Sequence, residues 1–227
     1  MPSLSLMRAR VGARTRGKEV HNQNVPKRVD PVTRRAELVD AYLRIVSRSS
    51  VAAATSRALA VEAGIASGAL WHYFPDFDSV VSAAFQRVYG QTNERIRVAT
   101  TGRRGLDALD AMSVDILPHD SGTRDESVVV VSFWGLLPTH AEFREHARAV
   151  ERDWGCQVTQ RLREAIQDGD LVPHTPVAPL TDALLAVFEV LQLREVQQSD
   201  SAAPERQRAL LNHLLVPWRA AAVPGSH

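Results

Sequence analysis

The chain has 227 residues, of which 44% are hydrophobic and 23% are charged, and its formal net charge is +1. This length suits one large domain or a small domain fused to a medium one, and the apolar fraction excludes a wholly disordered chain. No apolar run approaches the ~20 residues of a transmembrane helix, so we expect no membrane segment. The single cysteine, Cys156, excludes an intrachain disulfide and is typical of a reducing cytoplasm, where we expect the protein to reside.

The charge is distributed unevenly along the chain. Residues 1–100 carry 15 Arg and Lys against 8 Asp and Glu, whereas residues 101–227 carry 12 against 18. This asymmetry predicts that only the basic first half meets a polyanion. Residues 1–29 are rich in arginine and poor in large apolar side chains, which predicts a disordered basic tail. Such a tail is either an arm that contacts DNA phosphates or a solvated leader.

The first predicted helix begins after Asp30, a favourable N-cap, with Pro31 at its first position. Leu38, Tyr42 and Ile45 recur at helical spacing and give it one apolar face. This helix is predicted to end near residues 48–50.

Residues 55–90 contain three predicted helix N-caps. Thr55 is predicted to cap a second helix that stops before Gly64, where a left-handed glycine ends it. Ser67 is predicted to cap a third, short helix that ends near residues 74–75, and Asp76 to cap a fourth. Residues 30–90 are therefore predicted to form a small helical domain.

The pattern beyond residue 100 is again helical, beginning with an apolar stripe over residues 106–116. Residues 127–137 form a nearly continuous apolar run, which fits a buried strand or a buried helix. A buried helix is the better interpretation because no partner strand is evident. Thr139 and Glu142 have capping-box spacing for a long helix that ends at residues 168–169.

The remaining segments complete an all-α prediction. Residues 172–179 are rich in proline and are predicted to form a loop, and helices are predicted over residues 180–196 and 204–216. The expected domains are thus 30–90 and a larger helical domain over 91–218, followed by a flexible tail over 219–227.

Residues 54–74 carry the pattern with the strongest functional implication. Two short helices meet across Gly64, Ala60 is small where they cross, and Leu59, Ile65 and Leu70 can fill the space between them. This arrangement is typical of a helix-turn-helix motif, whose second helix enters the major groove of DNA.

The residues of this stretch also resemble the signature of the TetR family of transcriptional regulators. The matching groups are Thr55-Ser56-Arg57, Leu59-Ala60, Ala63-Gly64-Ile65 and Leu70-Trp71-His72-Tyr73-Phe74, followed by Pro75. The resemblance covers about residues 33–90 and implies a three-helix helix-turn-helix DNA-binding domain.

The resemblance implies which side chains contact double-stranded operator DNA. These are Arg34, Thr55, Ser56, Arg57, Ser67, Gly68, Ala69, Trp71, His72 and Tyr73. Three positions depart from the family pattern: Phe77 stands where a phosphate-gripping lysine is frequent, and Ser67 and Ala69 replace larger or more polar residues. The operator sequence is therefore not transferable from the family.

The second half resembles the BetI-like subgroup around residues 124–127 and at Phe133-Trp134. In the family these helices enclose an effector pocket, and the last two helices form a four-helix bundle with a second subunit. The residues predicted to line the pocket are Met112, Phe133, Trp134, Leu137, His140, Phe143 and Trp154, with His119 as an alternative polar anchor. The alternative interpretation is that these side chains only pack the core.

The sequence therefore predicts a homodimeric repressor that an unknown small-molecule effector releases from a palindromic operator. A transcriptional activator or an interaction scaffold on the same fold remains an alternative. An enzyme is not expected, because no nucleophile elbow, phosphate-binding glycine loop or metal-ligand cluster is evident. No cofactor, metal site or catalytic residue is predicted.

Overall fold

The computed structural model describes residues 30–220, and within that range it contains α-helices, short 3₁₀ helices and no strand, which confirms the predicted all-α fold. The α-helices are α1 (Pro31–Arg48), α2 (Ser56–Glu62), α3 (Phe77–Ala99), α4 (Gly105–Ile116), α5 (Ser121–Trp134), α6 (Ala141–Gln167), α7 (Val177–Val196) and α8 (Pro204–Leu215). The 3₁₀ helices are Ser67–His72, Asp200–Ala202 and Val216–Trp218. The predicted tail 1–29 and residues 221–227 lie outside the described residues.

Side-chain caps fix the start of several helices. The predicted caps Asp30, Thr55 and Asp76 each accept a hydrogen bond from the backbone N–H three residues later, which confirms them. Hydrogen bonds from the hydroxyl and backbone N–H of Ser79 also hold the pKa of Asp76 below its usual value. Asp120, which sequence reasoning missed, caps α5 in the same way.

Two predicted caps are wrong. The Ser67–His72 helix begins at Ser67 itself, its N-cap is Ala66, and it has no side-chain cap. The capping box at Thr139 is absent because the Thr139 hydroxyl donates to the Leu136 carbonyl at 3.1 Å, within the turn that follows α5. The N-cap of α6 is His140, which makes no capping hydrogen bond.

Two apolar clusters fill the interior. The first joins α1, α2, the Ser67–His72 helix and the start of α3 to Val129, Phe133 and Phe143 of α5 and α6. The second joins α4, the end of α6, α7 and α8. Helix α3 contributes Phe85 to the first cluster and Ile96 to the second. The two predicted domains are therefore connected by one continuous helix.

The end of the described chain is tied to the loop before α7. The Val172 N–H donates to the Trp218 carbonyl at 2.9 Å, and the Ala220 N–H donates to the Asp170 carbonyl at 3.0 Å. Residues 219–220 of the predicted flexible tail are therefore hydrogen-bonded. Within residues 30–220, no helix combines the length and apolar character that crossing a membrane requires.

Candidate functional site

The Ser67–His72 helix is called the motif helix below. The turn that connects α2 to it has the predicted geometry. Gly64 has φ of +64°, the left-handed conformation that glycine adopts without strain. The Ile65 N–H then donates to the Ala60 carbonyl at 2.9 Å, closing the end of α2. Leu59 and Leu70 are fully buried between the two helices, so their relative orientation is fixed by packing.

The motif helix presents its polar and aromatic side to solvent. Ser67, Gly68 and His72 are exposed, and Trp71 is 46% exposed although it is large and apolar. A half-exposed tryptophan offers an aromatic surface that a partner molecule can cover. Ala69 and Tyr73 are half-buried, while Leu70 and Phe74 anchor the helix from its inner side.

Three predicted contact residues begin α2. The Thr55 hydroxyl accepts the Ala58 N–H at 3.2 Å, so this side chain already serves as the cap. Ser56 is half-buried. Arg57 is exposed, and among the described residues its guanidinium has no hydrogen-bond or ion-pair partner. Arg57 is therefore the free cation of this surface.

Two arginines of α1 brace the motif from behind. The predicted contact residue Arg34 donates to the Ala63 carbonyl at 3.2 Å and pairs with Glu37 at 2.5 Å. Arg35, which sequence reasoning did not select, donates to the Tyr73 carbonyl at 3.1 Å and lies 4.3 Å from the Phe74 ring centroid. These bonds hold the end of α2 and the residue that follows the motif helix. DNA contact by all ten predicted residues stays a prediction.

A cavity of about 500 Å³ lies in the second half of the molecule, between α3, α5, α6 and α7. Three of the seven residues predicted for a pocket line it, namely Trp134, Leu137 and Trp154. Its walls also include Phe85, Val88, Tyr89, Thr92, Ile116, Thr123, Glu126, Ser127, Val130, Pro138, Arg144, Ala147, Arg148, Val150, Glu151, Leu185, Phe188, Glu189 and Gln192. A concave, largely aromatic and aliphatic surface of this size suits a small organic molecule.

The structure does not bring the other four predicted pocket residues to this wall. Met112, Phe133 and Phe143 are buried in the apolar clusters, because their faces of α4, α5 and α6 pack against neighbouring helices. His140 stacks on Phe143 at 4.6 Å between ring centroids and lies outside the cavity. The alternative anchor His119 is also outside it, with its Nδ1 3.0 Å from the Leu117 carbonyl.

Sequence reasoning missed the polar side chains of the cavity. Glu151 and Glu189 line it from α6 and α7, and Gln192 lines it one turn further along α7. The signal available in the sequence was a polar position on an otherwise apolar face of each helix. Tyr89 is also in the wall, and its hydroxyl donates to Asp153 at 2.5 Å.

Helix α5 connects the cavity wall with the helix-turn-helix half. Glu126 lines the cavity and accepts a hydrogen bond from Arg95 at 2.7 Å. The preceding residue, Asp125, accepts a hydrogen bond from the Ser47 hydroxyl in the last turn of α1. Adjacent residues of one helix thus contact the cavity and α1.

Comparison with known proteins gives consistent relatives. Residues 105–216 match the family described as BetI-type transcriptional repressor, C-terminal. The HTH-type transcriptional regulator BetI of Stenotrophomonas maltophilia is 30% identical over 75% of this chain and 85% of its own length. The HTH-type transcriptional regulator PksA of Bacillus subtilis is 21% identical over 84% of this chain and 92% of its own length.

A solved structure shares the fold over most of its length. The transcriptional regulator from Saccharomonospora viridis, solved in complex with choline, superposes with a TM-score of 0.73 at 16% identity. The match covers 82% of this chain and 96% of that one. Both halves of the molecule therefore have a counterpart in a single regulator.

Proposed function

The chain belongs to the TetR family of transcriptional regulators, with a BetI-type C-terminal domain, and we propose that it is a homodimeric repressor released from its operator by a small molecule. The observation that carries the proposal is the exposed motif helix. Its outer side has the exposed aromatic side chain of Trp71, and α2 carries the exposed Arg57, which has no partner among the described residues. Such groups fit base edges and phosphates of the major groove.

The exposed face of α7 and α8 supports the dimer. Val190, Leu193 and Val196 on α7 are 44%, 39% and 39% exposed, and Leu210 on α8 is 39% exposed. Apolar side chains that recur at helical spacing on two neighbouring helices fit a symmetric bundle with a second copy. A dimer places two motif helices in successive major grooves, about 34 Å apart.

The cavity supports release by an effector. The Saccharomonospora viridis regulator with this fold holds choline, and the cavity here has room for an organic molecule of that size class. An effector that binds more tightly to a conformation unable to dock on DNA than to the DNA-binding conformation shifts the population towards the former. Operator affinity falls to an extent set by the difference between these two effector affinities. The route from the cavity through Glu126 and Asp125 to Ser47 joins the two halves physically.

The decisive experiment measures binding of the purified chain to labelled DNA from upstream of its own gene. We expect preference for this DNA over a scrambled duplex by about a thousandfold, at a stated near-physiological salt concentration. Equal affinity for both duplexes would contradict a specific regulator. A reporter assay with and without the protein then shows whether it lowers or raises transcription. Higher expression without the protein supports repression, and lower expression supports activation.

The dimer surface gives a separate prediction. Replacing Leu193 with glutamate should bury a charge against the second copy, weakening dimerisation by about tenfold or more and shifting the sedimenting species towards monomer. Operator affinity should fall with it, because two half-sites are no longer held together. The matched control is Val98→Glu on α3, because Val98 is also an exposed aliphatic residue, with 60% of its surface accessible. An unchanged mass for Leu193→Glu would contradict this interface.

A further inference from the structure

Two carboxylates line the cavity without a cation of their own. Glu151 projects from α6 and Glu189 from α7; both line the cavity, and both remain exposed to solvent. Within the described part of the chain, neither side chain has a hydrogen-bond or ion-pair partner. Apolar surroundings and the negative charge of Glu151 raise the pKa of Glu189, so the two groups already interact electrostatically.

A buried amide next to this pair is also unpartnered. Gln192 is 4% exposed, lines the cavity, and lies one turn from Glu189 on α7. No other described residue accepts from or donates to its amide. Its amide atoms keep some accessible surface, so they face the space of the cavity and are open to a hydrogen bond with a polar group of a ligand.

Of the other charged side chains in the cavity wall, Glu126 and Arg148 are ion-paired within the protein, and Arg144 is bonded to backbone carbonyls. Glu126 is paired with Arg95 at 2.7 Å, and Arg148 is paired with Glu145 at 2.5 Å. Arg144 donates to the Leu137 carbonyl at 2.6 Å, and it lies about 10 Å from Glu151 along α6 by the helical rise. Glu151 and Glu189 are therefore the carboxylates left to a ligand.

The surrounding surface suits the carbon chain of a cation. Trp134 and Trp154 line the cavity, and the Tyr89 ring centroid lies 5.8 Å from that of Trp154. Aromatic faces attract ammonium groups and also bury methylene groups. The wall thus combines apolar surface with two negative charges.

We propose that the effector is an aliphatic diamine whose two ammonium groups bind Glu151 and Glu189, with a hydrogen bond to Gln192. A monocation can pair with only one of the two carboxylates, whereas a dication can form a charge-assisted hydrogen bond with each of them. The alkyl chain packs on the tryptophan rings. This inference rests on the proposed function, because it specifies the small molecule that the cavity takes.

The test is calorimetric titration of the full chain with putrescine and cadaverine, against butylamine and pentylamine of equal carbon number, and against choline. We expect each diamine to bind about tenfold or more tighter than its monoamine, the contribution of one charged hydrogen bond. In Glu189→Gln the diamine preference should fall to within about threefold, while monoamine affinity changes less. The matched control is Glu205→Gln on α8, an exposed glutamate outside the cavity.

The outcomes are separable from those of the proposed function. Equal affinities for diamine and monoamine, preference for choline, or no binding of any amine would overturn the inference, and specific operator binding would still stand. Diamine binding by a chain that shows no operator preference would support the inference and overturn the repressor. Glu151→Gln provides the second variant, should circular dichroism show that Glu189→Gln does not fold.

Discussion

The double substitution Arg57→Ala and Trp71→Ala should lower operator affinity by about a thousandfold, to the level of a scrambled duplex. Each charged or base contact contributes about 1.5–3 kcal/mol and occurs once in each subunit of the proposed dimer, so the summed loss of about 6 kcal/mol or more exceeds the operator preference of about 4 kcal/mol. Arg57 is exposed and has no partner among the described residues, and Trp71 is about half exposed, so the free energy of unfolding should fall by no more than about 3 kcal/mol. Fluorescence anisotropy with labelled operator measures the first quantity, and urea denaturation measures the second.

Two controls identify the cause of the loss. Arg163→Ala removes an exposed arginine from α6, remote from the motif, and should leave operator affinity unchanged. Arg57→Lys with Trp71 retained should keep most of the affinity if Arg57 contacts a phosphate, since a phosphate contact needs only nearby positive charge. Unchanged affinity of the double variant, in a protein that still binds its operator specifically, would place the contact surface elsewhere.

The helix-turn-helix could be predicted from sequence because its determinants are local. Asp30, Thr55 and Asp76 cap within three residues of themselves, and Gly64 ends α2 through its own backbone conformation. The prediction that Ser67 is a cap is wrong by one residue, because the sequence does not distinguish a serine just before a helix from a serine at its first position.

The cavity could be predicted only in part because it depends on which helix faces meet. Trp134 and Phe133 are adjacent on α5, yet the first lines the cavity and the second is buried in the cluster beneath it. Their separation follows from the rotation of α5 against α3 and α6, a tertiary property that helical periodicity alone leaves open. Glu151 and Glu189 come together only through the packing of α6 on α7, so sequence reasoning had no reason to pair them.

Phe133→Ala should destabilise the protein by about 3–5 kcal/mol, the usual cost of a large cavity in a core. Phe133 is fully buried, stacks on Phe85 with ring centroids 3.9 Å apart, and lies 5.8 Å from the Phe143 centroid. It therefore joins α5 to α3 and α6 within the same cluster that supports the motif helix. Chemical denaturation monitored by far-ultraviolet circular dichroism measures the loss.

Because this cluster spans both predicted domains, Phe133→Ala should shift the unfolding of both halves. Leu70, which supports the motif helix, and Val129 of α5 share that cluster, so loss of its central ring weakens both sides at once. Phe133→Leu retains much of the volume and should cost less than half as much, while Val98→Ala at an exposed position should cost almost nothing. A denaturation curve with two transitions, of which only the one from the second half moves, would contradict this coupling. It would show that the stability of the first half does not depend on the Phe133 ring.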